Sequence, residues 1–189
     1  MANFWSQNNV EPKRNFRFQV QLGPANSAPV YWWAKTVTTP SFEVSEVEHD
    51  YLDNKFYFPG RVTWNEINLT LVDPISVDAV ASTNDLLTQT GYAVKGNETY
   101  KKTMSKKQAA TGPLETLKIT VMNAEGEPLE IWTMKNPFIK SGKYGDLDYS
   151  SDDLRTVELT IRYDWAECEI KNSDAPSALQ SDYFKPQNG

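Results

Sequence analysis

Val157-Glu158-Leu159-Thr160-Ile161-Arg162-Tyr163-Asp164-Trp165 alternates without a break between large apolar residues and polar ones. A period of two marks a strand with one buried and one open face, because successive side chains leave a pleated backbone on opposite sides. The stretch is read as a strand running from Leu154 to Trp165. Val157, Leu159, Ile161 and Tyr163 form its buried set, and Glu158, Thr160, Arg162 and Asp164 its open one.

The same period recurs on the way back to the N-terminus. Phe16, Phe18, Val20 and Leu22 alternate with Arg17, Gln19 and Gln21 until Gly23-Pro24 breaks the run. A second strand is expected over residues 31–37, with Pro40 ending it. Phe42 to Phe58 reads as a long hairpin turning at Asp53-Asn54, in which apolar residues are interleaved with Glu43, Glu46, Glu48 and Asp50. Pro59-Gly60 marks a further turn. The strand Trp64–Val72 follows, with a slip between Trp64 and Ile67 that a bulge would absorb.

Asp73-Pro74 is a helix-start signal, with Asp as the cap and Pro in the first turn where its missing N–H does no harm. Ile75, Val77, Ala79, Val80, Leu86 and Leu87 supply an apolar stripe, and Gly91 the stop. It is the only good helix pattern in the chain. Strands resume over residues 114–121 and, after Glu125-Gly126, over 129–132; Pro137 ends that run, and 140–153 reads as a loop. The fold class predicted is mainly β: an antiparallel β-sandwich or barrel with one flanking α-helix and a long protruding hairpin. Residues 1–170 are expected to form one domain. Residues 171–189, with two prolines and little aliphatic content, are expected to form a flexible C-terminal tail.

Composition narrows the function. The 189 residues carry a formal net charge of −6, against the basic face of a general nucleic-acid binder. The opening Met1-Ala2-Asn3-Phe4-Trp5 has no basic region followed by an apolar one, and no window approaches the roughly 18 apolar residues of a membrane helix. The expectation is a protein made without a signal peptide and not inserted in a membrane. One cysteine, Cys168, forbids an internal disulfide, and one histidine, His49, argues against a zinc site. There is no G-x-S-x-G elbow, phosphate loop or H-E-x-x-H. Asp146-x-Asp148-x-Ser150-x-Asp152 begins like a calcium loop but has Ser151 at the glycine position and Val157 at the bidentate glutamate position. No catalytic residue, metal or cofactor is assigned. Acidic residues are widespread, so a carbohydrate-binding or glycoside-processing sandwich stays as a distant alternative. Lys95, Lys101, Lys102, Lys106 and Lys107 cluster in one stretch, read as a solvated loop or as a docking surface for an acidic partner.

Taken in order, eight segments resemble the tail tube family of contractile-tailed bacteriophages, which is related to the inner-tube proteins of contractile injection systems. The segments are Asn15-Phe16-Arg17-Phe18-Gln19-Val20; Trp33-Ala34-Lys35 before Pro40; Lys55, Gly60 and Trp64; Leu69-Thr70-Leu71-Val72-Asp73; Tyr100-Lys101-Lys102; Ile131-Trp132; Leu147-Asp148-Tyr149-Ser150-Ser151; and residues 157–165. The 171–189 extension departs from the family pattern.

The resemblance implies a non-enzymatic structural subunit of hexameric rings, stacked into a tube inside a sheath on a baseplate. Its partners would be further copies of itself, the tail sheath, baseplate and tape-measure proteins, and double-stranded DNA passing through without specific binding. Its place would be the phage virion, assembled in the host cytoplasm. The alternatives within this class are a baseplate-proximal tube initiator and the inner tube of a DNA-free injection device.

Three sets of residues are singled out on this reading. Phe42, Val44, Glu46, Glu48, Asp50, Lys55, Phe56 and Phe58 are expected at a subunit interface. Arg17, Gln19, Gln21, Glu158, Thr160, Arg162 and Asp164 are lumen candidates; if both strands line the channel, an acidic neighbour such as Glu158 or Asp164 is expected to offset Arg17 and Arg162. Lys101, Lys102, Lys106 and Lys107 are expected outside or between rings.

Overall fold

The computed structural model describes residues 12–23, 31, 33–76, 78–92, 103–111, 114–171 and 182–183. In chain order the elements are β1 (Phe18–Gly23), β2 (Ala34–Val37), β3 (Phe42–Tyr51), β4 (Asn54–Trp64), β5 (Ile67–Val72), α1 (Ala79–Gln89), α2 (Lys106–Thr111), β6 (Thr116–Met122), β7 (Pro128–Lys135), β8 (Phe138–Lys143), β9 (Thr156–Arg162), β10 (Trp165–Ile170) and β11 (Asp182–Tyr183). They make a five-stranded sheet ordered β1-β6-β7-β10-β11, a four-stranded sheet ordered β2-β5-β9-β8, and the separate hairpin β3-β4. All pairings are antiparallel. The mainly β sandwich expected from the alternation is what forms.

One core lies between the two sheets. Val20, Leu22, Leu117, Ile119 and Met134 face it from the first sheet, and Ile67, Leu69, Leu71, Val157, Leu159 and Ile161 from the second, each 2% exposed or less. Burying each such side chain contributes about 1.5–3 kcal/mol before chain entropy is set against it. Because both inner faces meet in this core, the alternate residues of each sheet point away from it on opposite sides of the molecule.

The strand read over 154–165 is two strands. It leaves the four-stranded sheet at Tyr163-Asp164 and enters the other sheet as β10. The buried phase slips by one residue there, from Tyr163 to Ala166 and Cys168. The Asp164 amide donates to the Lys135 carbonyl (3.1 Å), tying this corner to a second crossing at Asn136-Pro137, where β7 passes to β8. β8 itself occupies the start of what had read as a loop.

Other boundaries shift for local reasons. Phe16 lies outside β1 and is 74% exposed, and β2 spans only the second half of the expected strand. The helix starts later than Asp73-Pro74 suggests. Asp78 is its N-cap, accepting the Ala81 amide at 2.9 Å, while Asp73 accepts the Ala79 amide from outside at the same distance. Ile75 is consequently fully exposed, and Val77 lies outside the described residues. Gly91 ends the helix as expected: at φ +101° its amide donates to Thr88, and the Tyr92 amide to Leu87. A second, short helix, α2, occupies part of the lysine-rich stretch.

Candidate assembly surfaces

The hairpin is longer than it read. Pro59-Gly60 sits within β4, not at a turn, and the arms pair from Phe42↔Trp64 to Tyr51↔Asn54 around Leu52-Asp53. Leu52 holds φ +54° at the tip and is 86% exposed. Between Val44 and Glu46 the register shifts by a residue. The Arg61 amide donates to Ser45 Oγ (2.9 Å), and Ser45 Oγ–H donates to the Arg61 carbonyl, filling the gap in the ladder. Gly60 faces Ser45 so closely that a Cβ there would stand 2.9 Å from its carbonyl oxygen.

Beyond this bulge the hairpin has two unlike faces, because residues paired across a ladder share a face. Glu46↔Pro59, Glu48↔Tyr57 and Asp50↔Lys55 make one; Val47↔Phe58, His49↔Phe56 and Tyr51↔Asn54 make the other. The first is acidic, with Lys55 bridging to Glu48 and lying 4.0 Å from Asp50. The second is apolar and open, with Val47 63% and Phe58 57% exposed. Sequence reasoning grouped Phe56 and Phe58 with Glu46, Glu48 and Asp50; the register separates them. Phe42 and Val44 lie at the root, where Phe42 meets Trp64 edge-on (5.5 Å between ring centroids).

The lumen candidates divide between the two sheets. Gln19 and Gln21 lie on the open face of β1, and Glu158, Thr160 and Arg162 on that of β9, so one continuous channel face can hold only one set. Arg17 precedes β1, and Asp164 sits in the corner. The open face of the four-stranded sheet carries Thr36, Asn68, Thr70, Ser141, Thr156 and Thr160, a band of hydroxyls and amides. Thr160 Oγ1 donates to Asn68 Oδ1 (3.2 Å).

Charge on this face is of both signs. The carboxylate offsetting Arg162 is Glu66 (3.6 Å), which also takes Lys140 (2.6 Å), and not Glu158 or Asp164. Glu158 lies opposite Lys143. Asp164 instead accepts from Lys106 Nζ and Asn136 Nδ2, each at 2.8 Å. Burial raises the Asp164 pKa, but these two donors and the Lys106 charge outweigh it and hold the carboxyl below the usual carboxylate range.

Lys106 and Lys107 are exposed on α2; Lys101 and Lys102 lie outside the described residues. In the acidic loop, Asp148 accepts from the amide and hydroxyl of Ser150 (2.9 and 2.8 Å), which keep its carboxyl low. This is a self-satisfied turn. Among the described residues no group of three or more His, Cys, Asp or Glu side chains could hold a metal ion, and no helix is long and apolar enough to cross a membrane.

The fold of this chain is also found elsewhere. It superimposes on a chain in the cryo-EM structure of the sheath/tube terminator of an extracellular contractile injection system, PVC, in the extended state. The TM-score is 0.60 at 21% identity, over 85% of this chain and 99% of that one. The chain has the fold of contractile-injection-system tube proteins. The tube-terminating cap of the anti-feeding prophage matches with a TM-score of 0.58 at 21% identity, over 90% of this chain and 99% of that one. The PVC sheath-tube complex in the extended state gives 0.58 at 19% identity with the same coverage. No family profile and no curated protein sequence matches the chain. Sequence reasoning could not reach the two-faced character of the hairpin, because the bulge that sets its register is signalled only by Pro59-Gly60, which reads equally well as a turn.

Proposed function

We propose that this protein is a tube subunit that assembles into hexameric rings, stacked into a hollow tube inside a contractile sheath. The observation that carries the reading is the four-stranded sheet. Its two edges, β2 and β8, lie at opposite sides of one sheet and are both short, irregular and lysine-bearing. Such edges resist indiscriminate strand pairing but accept a shaped partner. β8 of one copy beside β2 of the next is a heterologous contact, and repeated around a ring it closes.

Six copies give a barrel of about 24 strands; at about 4.8 Å per strand its circumference is roughly 115 Å, or roughly 37 Å between opposite backbones before strand tilt widens it. The open face of β9, with Glu158, Thr160 and Arg162, then lines the lumen, and the face of β1 with Gln19 and Gln21 looks outward. A wall of hydroxyls and paired charges offers a polyanion no continuous cationic track, so DNA slides through. The hairpin reaches a neighbouring copy, burying the apolar face it leaves in water. Residues 1–170 act as the tube domain, and the 171–189 segment adds β11 to the edge of its five-stranded sheet, Tyr183 opposite Cys168 and Asp182 opposite Glu169. Sheath, baseplate and tape-measure proteins are the partners this role requires, and a phage virion is its setting.

A second reading is the inner tube of a DNA-free injection device, supported by the extracellular contractile injection systems among the structural neighbours. Electron microscopy of the purified protein, with and without residues 44–56, tests the common core of both. Tubes from the full chain and folded, tubeless subunits from the deletion are expected; normal tubes from the deletion would overturn the hairpin's role. DNA extracted from isolated particles separates the two readings.

A further inference from the structure

The apolar face of the hairpin suits an in-ring neighbour, but its acidic face calls for something different. Besides Glu46, Glu48 and Asp50 it presents Tyr57, 55% exposed, and Pro59. A surface of complementary character exists on the same chain. Residues 13–17 form a turn closed by the Arg17 amide donating to the Arg14 carbonyl (3.2 Å). It displays Phe16, 74% exposed, with the Arg17 guanidinium 5.5 Å from its ring centre and Arg14 and Lys13 exposed beside it. Met122 and Glu130 hold this turn in place, through the Met122 amide to the Arg17 carbonyl (3.0 Å) and the Glu130 bridge to Lys13.

The two surfaces cannot satisfy each other within one molecule. The hairpin leaves the corner where Trp64 meets Tyr163, at the end of the five-stranded sheet marked by Gly23, Thr116, Lys135 and Trp165. The basic turn stands at the other end of that sheet, beside Phe18 and Val121. Six strand residues at about 3.4 Å each put roughly 20 Å between those ends. The hairpin also packs against neither sheet along its length: it is a separate two-stranded ladder in which every residue but Trp64 is exposed. Contact between unlike ends of identical molecules generates a chain of copies, not a closed pair.

We infer that the acidic hairpin face of one copy docks on the Arg14–Phe16–Arg17 turn of a copy in the adjoining ring. Arg14 and Arg17 meet Glu46 and Glu48 there, and Phe16 packs on Tyr57 and Pro59. This rests on the reading of the chain as a tube subunit and names the joint between rings. Arginine serves such a joint well, since its planar fork pairs with carboxylates and stacks on aromatic rings.

The test is charge reversal with repair. Arg14→Glu with Arg17→Glu, and separately Glu46→Arg with Glu48→Arg, are each expected to shorten tubes at least tenfold by electron microscopy, with melting curves unchanged. The four substitutions combined in one chain should restore length. Phe16→Cys with Tyr57→Cys, in a Cys168→Ser background, should give a ladder of disulfide-linked multimers on oxidation, which neither single cysteine gives. Full-length tubes from the Arg14→Glu, Arg17→Glu chain, or a failure of the four-fold variant to recover, would overturn this joint while leaving the tube reading intact. Absence of a ladder from assembled tubes does the same, and would assign the acidic face to another protein such as the sheath. Failure of the unaltered chain to form tubes at all would overturn both.

Discussion

The Trp64 indole lies against the Tyr163 phenol, ring centroids 6.1 Å apart and planes inclined by 52°. This pair joins the root of the hairpin to the corner where β9 crosses into β10. Trp64→Ala is expected to cost about 2–4 kcal/mol, somewhat less than a fully buried tryptophan because Trp64 is half-buried. Denaturant unfolding gives the loss. Hydrogen exchange should show the amides of 42–51 and 54–64 opening faster than those of β5; equal protection in mutant and parent would mean the hairpin is held elsewhere.

Gly60 is the residue on which the bulge depends. An added Cβ would stand 2.3 Å from Ser45 Oγ and 2.9 Å from the Ser45 carbonyl, and the latter is backbone that cannot swing aside. Gly60→Ala should destabilise the hairpin by about 1–3 kcal/mol and abolish tubes while the sandwich core stays folded. Gly126→Ala makes the control: at φ +85° but with nothing within 4 Å, it should cost only about 1 kcal/mol and leave assembly alone.

Acid sensitivity should trace in part to Asp164. Its folded pKa is depressed, so its contribution is present above the ordinary aspartate value and is lost as pH falls through the lower, folded value. Asp164→Asn should therefore destabilise at neutral pH, by about 1 kcal/mol for a pair this exposed, and make the melting temperature less steep below pH 4. An unchanged acid limb would place the titrating groups elsewhere.

Tyr163 makes the opposite case. Burial pushes its phenol up to about 12, with Arg162 pulling the other way, and its hydroxyl has no hydrogen-bond partner among the described residues. A raised pKa means stability is complete below pH 10 and falls away as pH rises from there through about 12. Tyr163→Phe should remove that alkaline limb. At neutral pH it should be neutral or stabilising by up to about 1 kcal/mol, since a buried polar group without a partner is lost. Destabilisation at pH 7 would show that the hydroxyl is satisfied.

Wall charge is testable in assembled particles. Thr160→Lys places a cation in the middle of the hydroxyl band and, if the chain assembles as proposed, repeats it around every ring. Should the particles carry DNA, as the proposed tube reading requires, its ejection should slow several-fold at low salt and recover as salt rises, because counterion release governs the attraction; Thr160→Gln should be silent. Unaltered kinetics in both would show that β9 does not face the cargo.

The alternation of 157–163 made the buried face of β9 legible residue by residue, and the helix stop at Gly91 was equally plain. Two things were not. A sheet crossing at Tyr163-Asp164 slips the phase by one residue without any proline or glycine to announce it. The hairpin register depends on Ser45 filling a gap beside Gly60, a contact that becomes visible only when both strands are laid side by side. The acidic neighbour of Arg162 is hidden in the sequence for a related reason: Glu66 lies in the break between β4 and β5, within a stretch that reads as continuous strand.

The two tight crossings between the sheets, at Asn136-Pro137 and Tyr163-Asp164, sit where the hairpin is rooted. Mechanically, that makes the corner a junction. A pull on the hairpin along its strands is carried as tension by both arms side by side, so the ladder between them is not peeled apart one bond after another. The load then passes through Trp64 and Tyr163 into β9 and β10 at once, and so into both sheets. A tube driven forward by a shortening sheath would carry its thrust from ring to ring through such corners, leaving the sandwich core between them undeformed.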